Sequence, residues 1–273
     1  MQSMQTRKIP SLGGIIRNKE HEVRKAKERC PLSILRKRIE RTDFAGVDFG
    51  SSIYSPGHIS IIAEVKYKSP SAGTIREKEK EDVFERIRCY RSGGASAISF
   101  LTDKKYFGGD IKLLKAVKEN TTLPVLRKDF IIDEYQVYES KAYGADAILL
   151  IASILNSREL KKFYCLASDL GMDCLIEIHA KEDLKKLPTA ARIVGINNRN
   201  LSHPEYKTDI STTLMLAPMI SGDKILVSES GISVSNIHEL RKVKVNTVLI
   251  GTELMRTTAQ GSRNIIKKLI KAF

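Results

Sequence analysis

The stretch Val125–Leu155, VLRKDFIIDEYQVYESKAYGADAILLIASIL, decides the fold. It opens on a short apolar run, LPVLRKDF (123–130) when read from two residues earlier. A charged, amphipathic segment follows over 134–143, and the chain turns at YGADA (143–147) into a second apolar run, DAILLIAS (146–153). Short, nearly continuous apolar runs bounded by turn residues read as strands buried on both faces. Two of them joined through a helix-length segment make a parallel pair with a crossover helix.

The same unit recurs outward in both directions. Upstream lie ISIIAEVK (59–66) and ASAISFLT (95–102); downstream lie DCLIEIH (173–179), ARIVGINNR (191–199), KILVSES (224–230) and NTVLIGT (246–252). Helical segments are predicted at 81–92, 110–119, 134–143, 156–170, 180–187, 209–218, 233–242 and 262–271. Glycines close several of the helix-to-strand joints, as in GGASA (93–97) and LGMDC (170–174). Eight strand–helix units predict an α/β protein whose sheet closes as a (β/α)8 TIM barrel. Ahead of it, apolar residues recur at helical intervals from Leu12 to Ile39, and Pro31 marks the start of a second helix. The expected organisation is one barrel domain over 1–273, of which 1–46 form an N-terminal helical extension. An open doubly wound sheet is the competing architecture, but it wants a glycine-rich dinucleotide loop after the first strand, and none is present.

The 273 residues carry 46 Lys+Arg against 32 Asp+Glu, a net charge of +14. The excess sits at the ends: residues 1–42 are net +8 and residues 254–273 net +5, which leaves the centre at +1. A protein built to coat a polyanion spreads its charge over the binding surface. Here the ends read as solvated helical faces, and aromatic residues, 6% of the chain, are not interleaved among the basic runs as stacking platforms. No nucleic-acid partner is expected. Neither is a membrane partner, since no 18-residue apolar run exists and the start of the chain lacks a signal core. The four cysteines form no C-x-x-C pair and the five histidines no H-x-x-x-H pattern, so no metal is expected and a cytoplasmic location is. Cys89, Cys165 and Cys174 read as small core residues.

Polar residues cluster late in the apolar runs. Strand side chains alternate faces, so Glu64 shares a face with Lys66, Lys128 with Phe130, Glu177 with His179, and Asn197 with Arg199; Glu229 ends the seventh run. In a barrel these ends form the rim where active sites assemble. Buried charges there must pair with one another or with an anionic ligand. His179 is expected to be a rim residue bonded to backbone, and Asp129 a structural carboxylate. The loops Ser228–Ser233, which holds Ser230 and Gly231, and Gly251–Thr252 follow the last two strands, the usual place for a barrel phosphate site. The loop from Lys68 to Gly73, with its polar continuation to Glu81, suits a lid that excludes water.

Several long motifs resemble one family. IIAEVKYKSPSAG (61–73), SFLTDKKYFGGD (99–110), VLRKDFIIDEYQVYES (125–140), GADAILLIASIL (144–155), IEIH (176–179), GINNRNL (195–201), VSESGIS (227–233) and LIGTELM (249–255) are similar to the indole-3-glycerol phosphate synthases of tryptophan biosynthesis. IIRNKEHEV (15–23) and PLSIL (31–35) resemble that family's helical extension. The resemblance implies conversion of 1-(2-carboxyphenylamino)-1-deoxyribulose 5-phosphate into indole-3-glycerol phosphate, CO2 and water. It implies Lys128 as general acid, Glu177 as general base, Lys66 as a lysine assisting acid catalysis, and Glu64 and Glu229 as the carboxylates orienting them. It implies substrate binding by Ser69, Phe107, Phe130, Leu149, Asn197, Arg199 and Leu201, and phosphate binding by Ser230, Gly231, Gly251 and Thr252. A Thr stands at 252 where many members carry Ser or Glu, so the contact expected there is through backbone.

The chemistry calls for these residue types. An acid must protonate the ketone oxygen as the ring carbon attacks, and a lysine among other cations is expected to have a lowered pKa suited to that step. The nitrogen-conjugated cation formed by closure accepts the electrons released with CO2, so no cofactor is expected. Dehydration needs a base, which a glutamate among apolar strands supplies. The partner is then a small substrate bearing phosphate and carboxylate, with weak association with other pathway enzymes as the one protein partnership considered. The rival enzymes are a sugar-phosphate isomerase and a Schiff-base aldolase using Lys66 or Lys128.

Overall fold

The computed structural model describes residues 11–41, 46–70, 72–77, 80–199 and 208–273. Strands β1 (Ser60–Val65), β2 (Lys68–Ser69), β3 (Gly73–Thr74), β4 (Ala97–Leu101), β5 (Val125–Lys128), β6 (Ala147–Ile151), β7 (Asp173–Ile178), β8 (Ile193–Asn197), β9 (Ile225–Glu229) and β10 (Thr247–Ile250) follow in chain order. Eight of them close a parallel barrel in the order β1-β10-β9-β8-β7-β6-β5-β4. The remaining two, β2 and β3, form a small antiparallel hairpin on the rim directly after β1.

Alternation along each strand sorts the side chains into an outer and an inner core. Ile61, Ala63 and Val65 of β1 face outward into the large cluster between sheet and helices. Ile62 faces inward with Ala97, Leu126, Leu149, Leu175, Ile193, Val227 and Leu249, filling the lower barrel with apolar side chains. One step further along the same inner face, the residues become Glu64, Lys128, Glu177, Asn197 and Glu229. The barrel interior is thus apolar below and charged at its carboxyl-end rim.

The helices of the first half are α1 (Leu12–Arg29), α2 (Leu32–Glu40), α3 (Phe49–Ile53), α4 (Lys80–Gly93), α5 (Lys104–Phe107), α6 (Ile111–Glu119) and α7 (Glu134–Ala142). Those of the second half are α8 (Ser157–Asp169), α9 (Ser211–Leu216), α10 (Thr252–Met255) and α11 (Ala259–Ala272). Pro31 stands at the N-cap of α2, as the sequence predicts. The extension docks on α7: Val23 and Leu35 pack with Tyr135 and Ala142, and the Tyr135 hydroxyl donates to the carbonyls of Ala26 and Cys30.

The helix and cysteine expectations change in part. The segments 180–187 and 233–242 are 3-10 turns, Lys181–Lys186 and Ile237–Val243, and 209–218 is α9 followed by a 3-10 turn. The two 3-10 segments are six and seven residues long and rich in charge, so they bury too little apolar surface to stabilise a full α-helix. The region around residue 49 carries the helix α3, whose Phe49 and Ile53 are fully buried and plug the amino-end of the barrel. Of the three cysteines read as core, Cys174 is buried, Cys89 is half-buried and Cys165 is exposed on α8.

Candidate active site

A cavity of about 650 Å³ opens at the carboxyl ends of the strands. Its charged floor comes from period-2 placement on four strands. Glu64 of β1 and Lys66 just beyond it point the same way, and Lys66 Nζ lies 2.7 Å from Glu64 Oε1. Ser99 of the neighbouring strand β4 donates to Glu64 Oε2 at 3.4 Å. Lys128, at the end of β5, donates to Glu229 Oε2 at 2.6 Å and to Glu177 Oε2 at 3.1 Å. The register brings these together: Ile151 pairs with Glu177, and Asn197 with Glu229.

Lys128 therefore sits between two carboxylates in an almost dry site. Burial works against its charge, but Glu229, Glu177 and Glu64 outweigh burial and raise its pKa above the ordinary lysine value. The lowered pKa expected from neighbouring cations is not found, because the nearest charged groups to Lys128 are acids. Glu177 and Glu229 are driven apart although both touch the same ammonium. Burial pushes both upward. For Glu177, Lys128, His179 and a hydrogen bond from Asn197 overcome it and hold the carboxyl below the usual range. Glu229 has Lys128 alone against the like charges of Glu177 and Glu64, and its pKa rises well above the usual range. Its Oε1 makes no hydrogen bond among the described residues. Gly195 on β8 faces that oxygen, and a Cβ there would overlap it.

The aromatic side of the cavity is walled by Phe107, Phe130 and Leu149. The Phe107 and Phe130 rings stand 6.0 Å apart and tilted by 45°. Asn197 and Arg199 also line the cavity, and the Asn197 side-chain Oδ1 accepts the backbone N–H of Arg199. Leu201 lies outside the described residues.

The opposite side is built from backbone. Ser230, Gly231, Gly251 and Thr252 line it together, and Ser69 of the β2–β3 hairpin also lines the cavity. Ser230 and Gly231 both have left-handed backbone, φ 68° and 73°. That conformation costs a non-glycine residue on the order of 1 kcal/mol and persists where the surroundings enforce it. Asn198, 1% exposed, does so: its side-chain amide donates to Ser230 O and Ser228 Oγ, while its oxygen accepts from Thr213. Asn236 donates to Gly231 O from the other side. Successive backbone N–H groups at such a turn can form an anion-binding concavity.

His179 departs from its expected role. Its Nε2 lies 3.3 Å from Glu177 Oε1, and neither ring nitrogen makes a hydrogen bond among the described residues. Asp129 fits the structural reading: it accepts from Thr102, Arg127 and the backbone of Phe130, and pairs with Lys19. Sequence reasoning missed Lys19, 4% exposed on α1, because a lysine in a charged amphipathic helix reads as solvated. It also missed Leu12 and Ile15, which bring the same helix into the cavity wall, and Asn198, hidden beside the more conspicuous Asn197. At the other end of the chain Lys267, Lys268 and Lys271 are exposed, as a solvated face requires. Among the described residues no cluster of three or more His, Cys, Asp or Glu could hold a metal ion, and no helix is long and apolar enough to cross a membrane.

With this geometry in view, comparison with known proteins is specific. The family model described as indole-3-glycerol phosphate synthase matches residues 12–269. The indole-3-glycerol phosphate synthase of Caldanaerobacter subterraneus subsp. tengcongensis is 43% identical over 93% of this chain and 97% of its own length. The one from Alkaliphilus metalliredigens is 41% identical over 92% and 95%, and the one from Aquifex aeolicus 45% identical over 80% and 83%. Among solved structures, a 3-hexulose-6-phosphate synthase superposes with a TM-score of 0.61 at 15% identity, over 78% of this chain and 99% of its own. The tryptophan synthase alpha subunit of Legionella pneumophila gives 0.58 at 13%, over 86% and 97%. These two likenesses concern the barrel alone.

Proposed function

We propose a division of labour at the rim of this chain, which belongs to the indole-3-glycerol phosphate synthase family. The reaction is that of a carboxy-lyase in tryptophan biosynthesis. It turns 1-(2-carboxyphenylamino)-1-deoxyribulose 5-phosphate into indole-3-glycerol phosphate with loss of CO2 and water.

The observation that carries the reading is the Lys128 ammonium held 2.6 Å from Glu229 and 3.1 Å from Glu177 at the base of a cavity with an apolar wall on one side and a backbone concavity on the other. Phosphate rests against Ser230, Gly231, Gly251 and Thr252, and the carboxyphenyl ring against Phe107, Phe130 and Leu149. Leu201 is assigned to that wall from the resemblance. Ser69 closes over the sugar phosphate, and Asn197 and Arg199 bind the polar edge of the ring. Fixing both ends brings the ketone carbon within reach of the ring carbon that bears the carboxylate.

Lys128 then acts as general acid. Its raised pKa keeps it charged and reluctant to lose a proton until the ketone oxygen becomes strongly basic, which happens only as the new carbon–carbon bond forms. The ring supplies the electron pair of that bond and is left as a nitrogen-conjugated cation, and breaking the bond to CO2 returns a pair to the ring. Lys66, steered by Glu64, assists departure of the hydroxyl as water, and Glu177, held ionised, takes the ring-carbon proton. Glu229 orients Lys128. We further read residues 1–273 as one barrel domain with 1–46 as its extension; the entry of Leu12 and Ile15 into the cavity wall supports this. Free cysteines at 30, 89, 165 and 174 support a cytoplasmic location.

The test is incubation with the carboxyphenylamino substrate, following the fluorescence of the indole ring. Product formation supports the reading. Borohydride trapping with a sugar phosphate is the control for the aldolase rival: a covalent adduct at Lys66 or Lys128 would contradict it.

A further inference from the structure

Lys19 is the one buried lysine of the helical extension among the described residues, and it meets two buried carboxylates from different loops. Its Nζ lies 2.9 Å from Asp103 Oδ2 and 2.8 Å from Asp129 Oδ1, with Glu22 of its own helix at 2.7 Å. Each of those two carboxylates is also bonded to the backbone beside a wall phenylalanine. Asp103 caps α5 by accepting the N–H of Tyr106, the neighbour of Phe107. Asp129 accepts the N–H of Phe130 itself.

From these contacts we propose that Lys19 is a positioning residue of the active site: by clamping Asp103 to Asp129, it sets the spacing of the Phe107–Phe130 slot that receives the substrate's aromatic ring. The inference rests on the assignment of that wall to the ring. Without the ammonium, two nearly dry carboxylates would face each other, and like charges in such a site repel strongly. Asp129 keeps Arg127 as a second cation at 3.2 Å, and Arg127 is further neutralised by Glu139. Asp103 has no second cation among the described residues, and burial pushes its pKa up despite Lys19. Loss of Lys19 therefore releases the Asp103 side of the clamp first, and with it α5 and Phe107. The phosphate side of the cavity is built on β9, β10 and Asn198, and among the described residues the ion pairs of Lys19 go to Glu22, Asp103 and Asp129 instead.

The experiment measures inhibition of the wild-type enzyme and of Lys19→Met, Lys19→Arg, Asp103→Asn and Phe107→Ala by two probes, 2-aminobenzoate for the ring slot and inorganic phosphate for the other end. Steady-state constants are measured for the full substrate alongside. For Lys19→Met the expected result is weakening of 2-aminobenzoate by about tenfold or more, with phosphate inhibition unchanged, since displacing a positioned group by about an ångström can cost on the order of a hundredfold. Lys19→Arg should restore most of the loss. Should Lys19→Met fail to fold, Asp103→Asn decides: asparagine caps a helix as well as aspartate does, so α5 keeps its cap while the ion pair is gone, and the same one-ended weakening is expected. Equal weakening of both probes, or of neither, in Lys19→Met or its substitute overturns the proposal. Phe107→Ala separates the two ideas: if it weakens 2-aminobenzoate and the clamp variants do not, the clamp fails while the wall stands. If it leaves 2-aminobenzoate unchanged, the wall assignment itself fails, and the clamp with it.

Discussion

Lys128 lies closer to Glu229 than to Glu177, yet Glu177 is the carboxylate it holds ionised. Proximity to one ammonium does not decide the protonation state, because Glu177 has His179 and Asn197 in addition while Glu229 faces two other carboxylates. The two acids consequently suit different work, one as base and one as orienting partner.

Glu177→Gln should lower turnover by roughly a hundredfold or more with the fold intact, the scale expected of a general base. Glutamine preserves the hydrogen bond to Lys128 and removes only proton acceptance. Circular dichroism and steady-state kinetics check this together, and near-wild-type turnover would remove Glu177 from the role.

Glu229 makes stability depend on pH in a definite direction. Its folded pKa is raised above the ordinary carboxylate value of 4.5, so between that value and the raised one the folded state binds more protons than the unfolded state. This contribution is fully present below 4.5 and is lost as pH rises through the folded value. Glu229→Gln carries a neutral isostere at every pH, and melting temperatures measured across that window should fall less steeply with pH than in the wild type.

Gly195 and Gly251 are places where the active-site carboxylates fill the space a side chain would take. A Cβ at Gly195 would overlap Glu229 Oε1, and one at Gly251 would overlap Glu64 Oε1. Either glycine-to-alanine change should destabilise by about 1–3 kcal/mol, the usual cost of overpacking. Each should also lower kcat by displacing the glutamate it meets. Denaturant titration and kinetics on the two variants read the two effects separately.

Phe49→Ala tests the separation of the two barrel ends. The ring is fully buried in the amino-end plug, so its loss should cost about 3–5 kcal/mol. At a temperature where the variant remains folded, its KM should match the wild type, because stability at that end and chemistry at the rim are carried by different layers.

Period-2 alternation made the barrel and its charged floor readable in sequence, since the same rule that sends Ile62 inward sends Glu64 and Lys66 after it. What it could not convey was who faces whom across strands. The expectation of a cation-rich environment around Lys128 failed because Glu177 and Glu229 lie 49 and 101 positions away from it, and only the barrel register brings them to it. His179 was placed on the correct face but given the wrong neighbour for the same reason. Lys19 was illegible for a different one: an amphipathic helix shows which face is apolar, not that a lysine at its border reaches two buried carboxylates on loops that lie 84 and 110 residues further on. Asn198 points to the opposite face from Asn197 and acts by tying the backbone of Ser230 to Ser228 and Thr213.

The central claim is that the Lys128 ammonium donates the proton that allows ring closure. Its most direct test is a single-turnover measurement of indole-ring fluorescence with the carboxyphenylamino substrate, comparing wild type with a folded Lys128→Met variant that still binds inorganic phosphate. The account predicts a loss of roughly a hundredfold or more in the rate of ring closure, with phosphate affinity unchanged. A closure rate within a fewfold of wild type would contradict it.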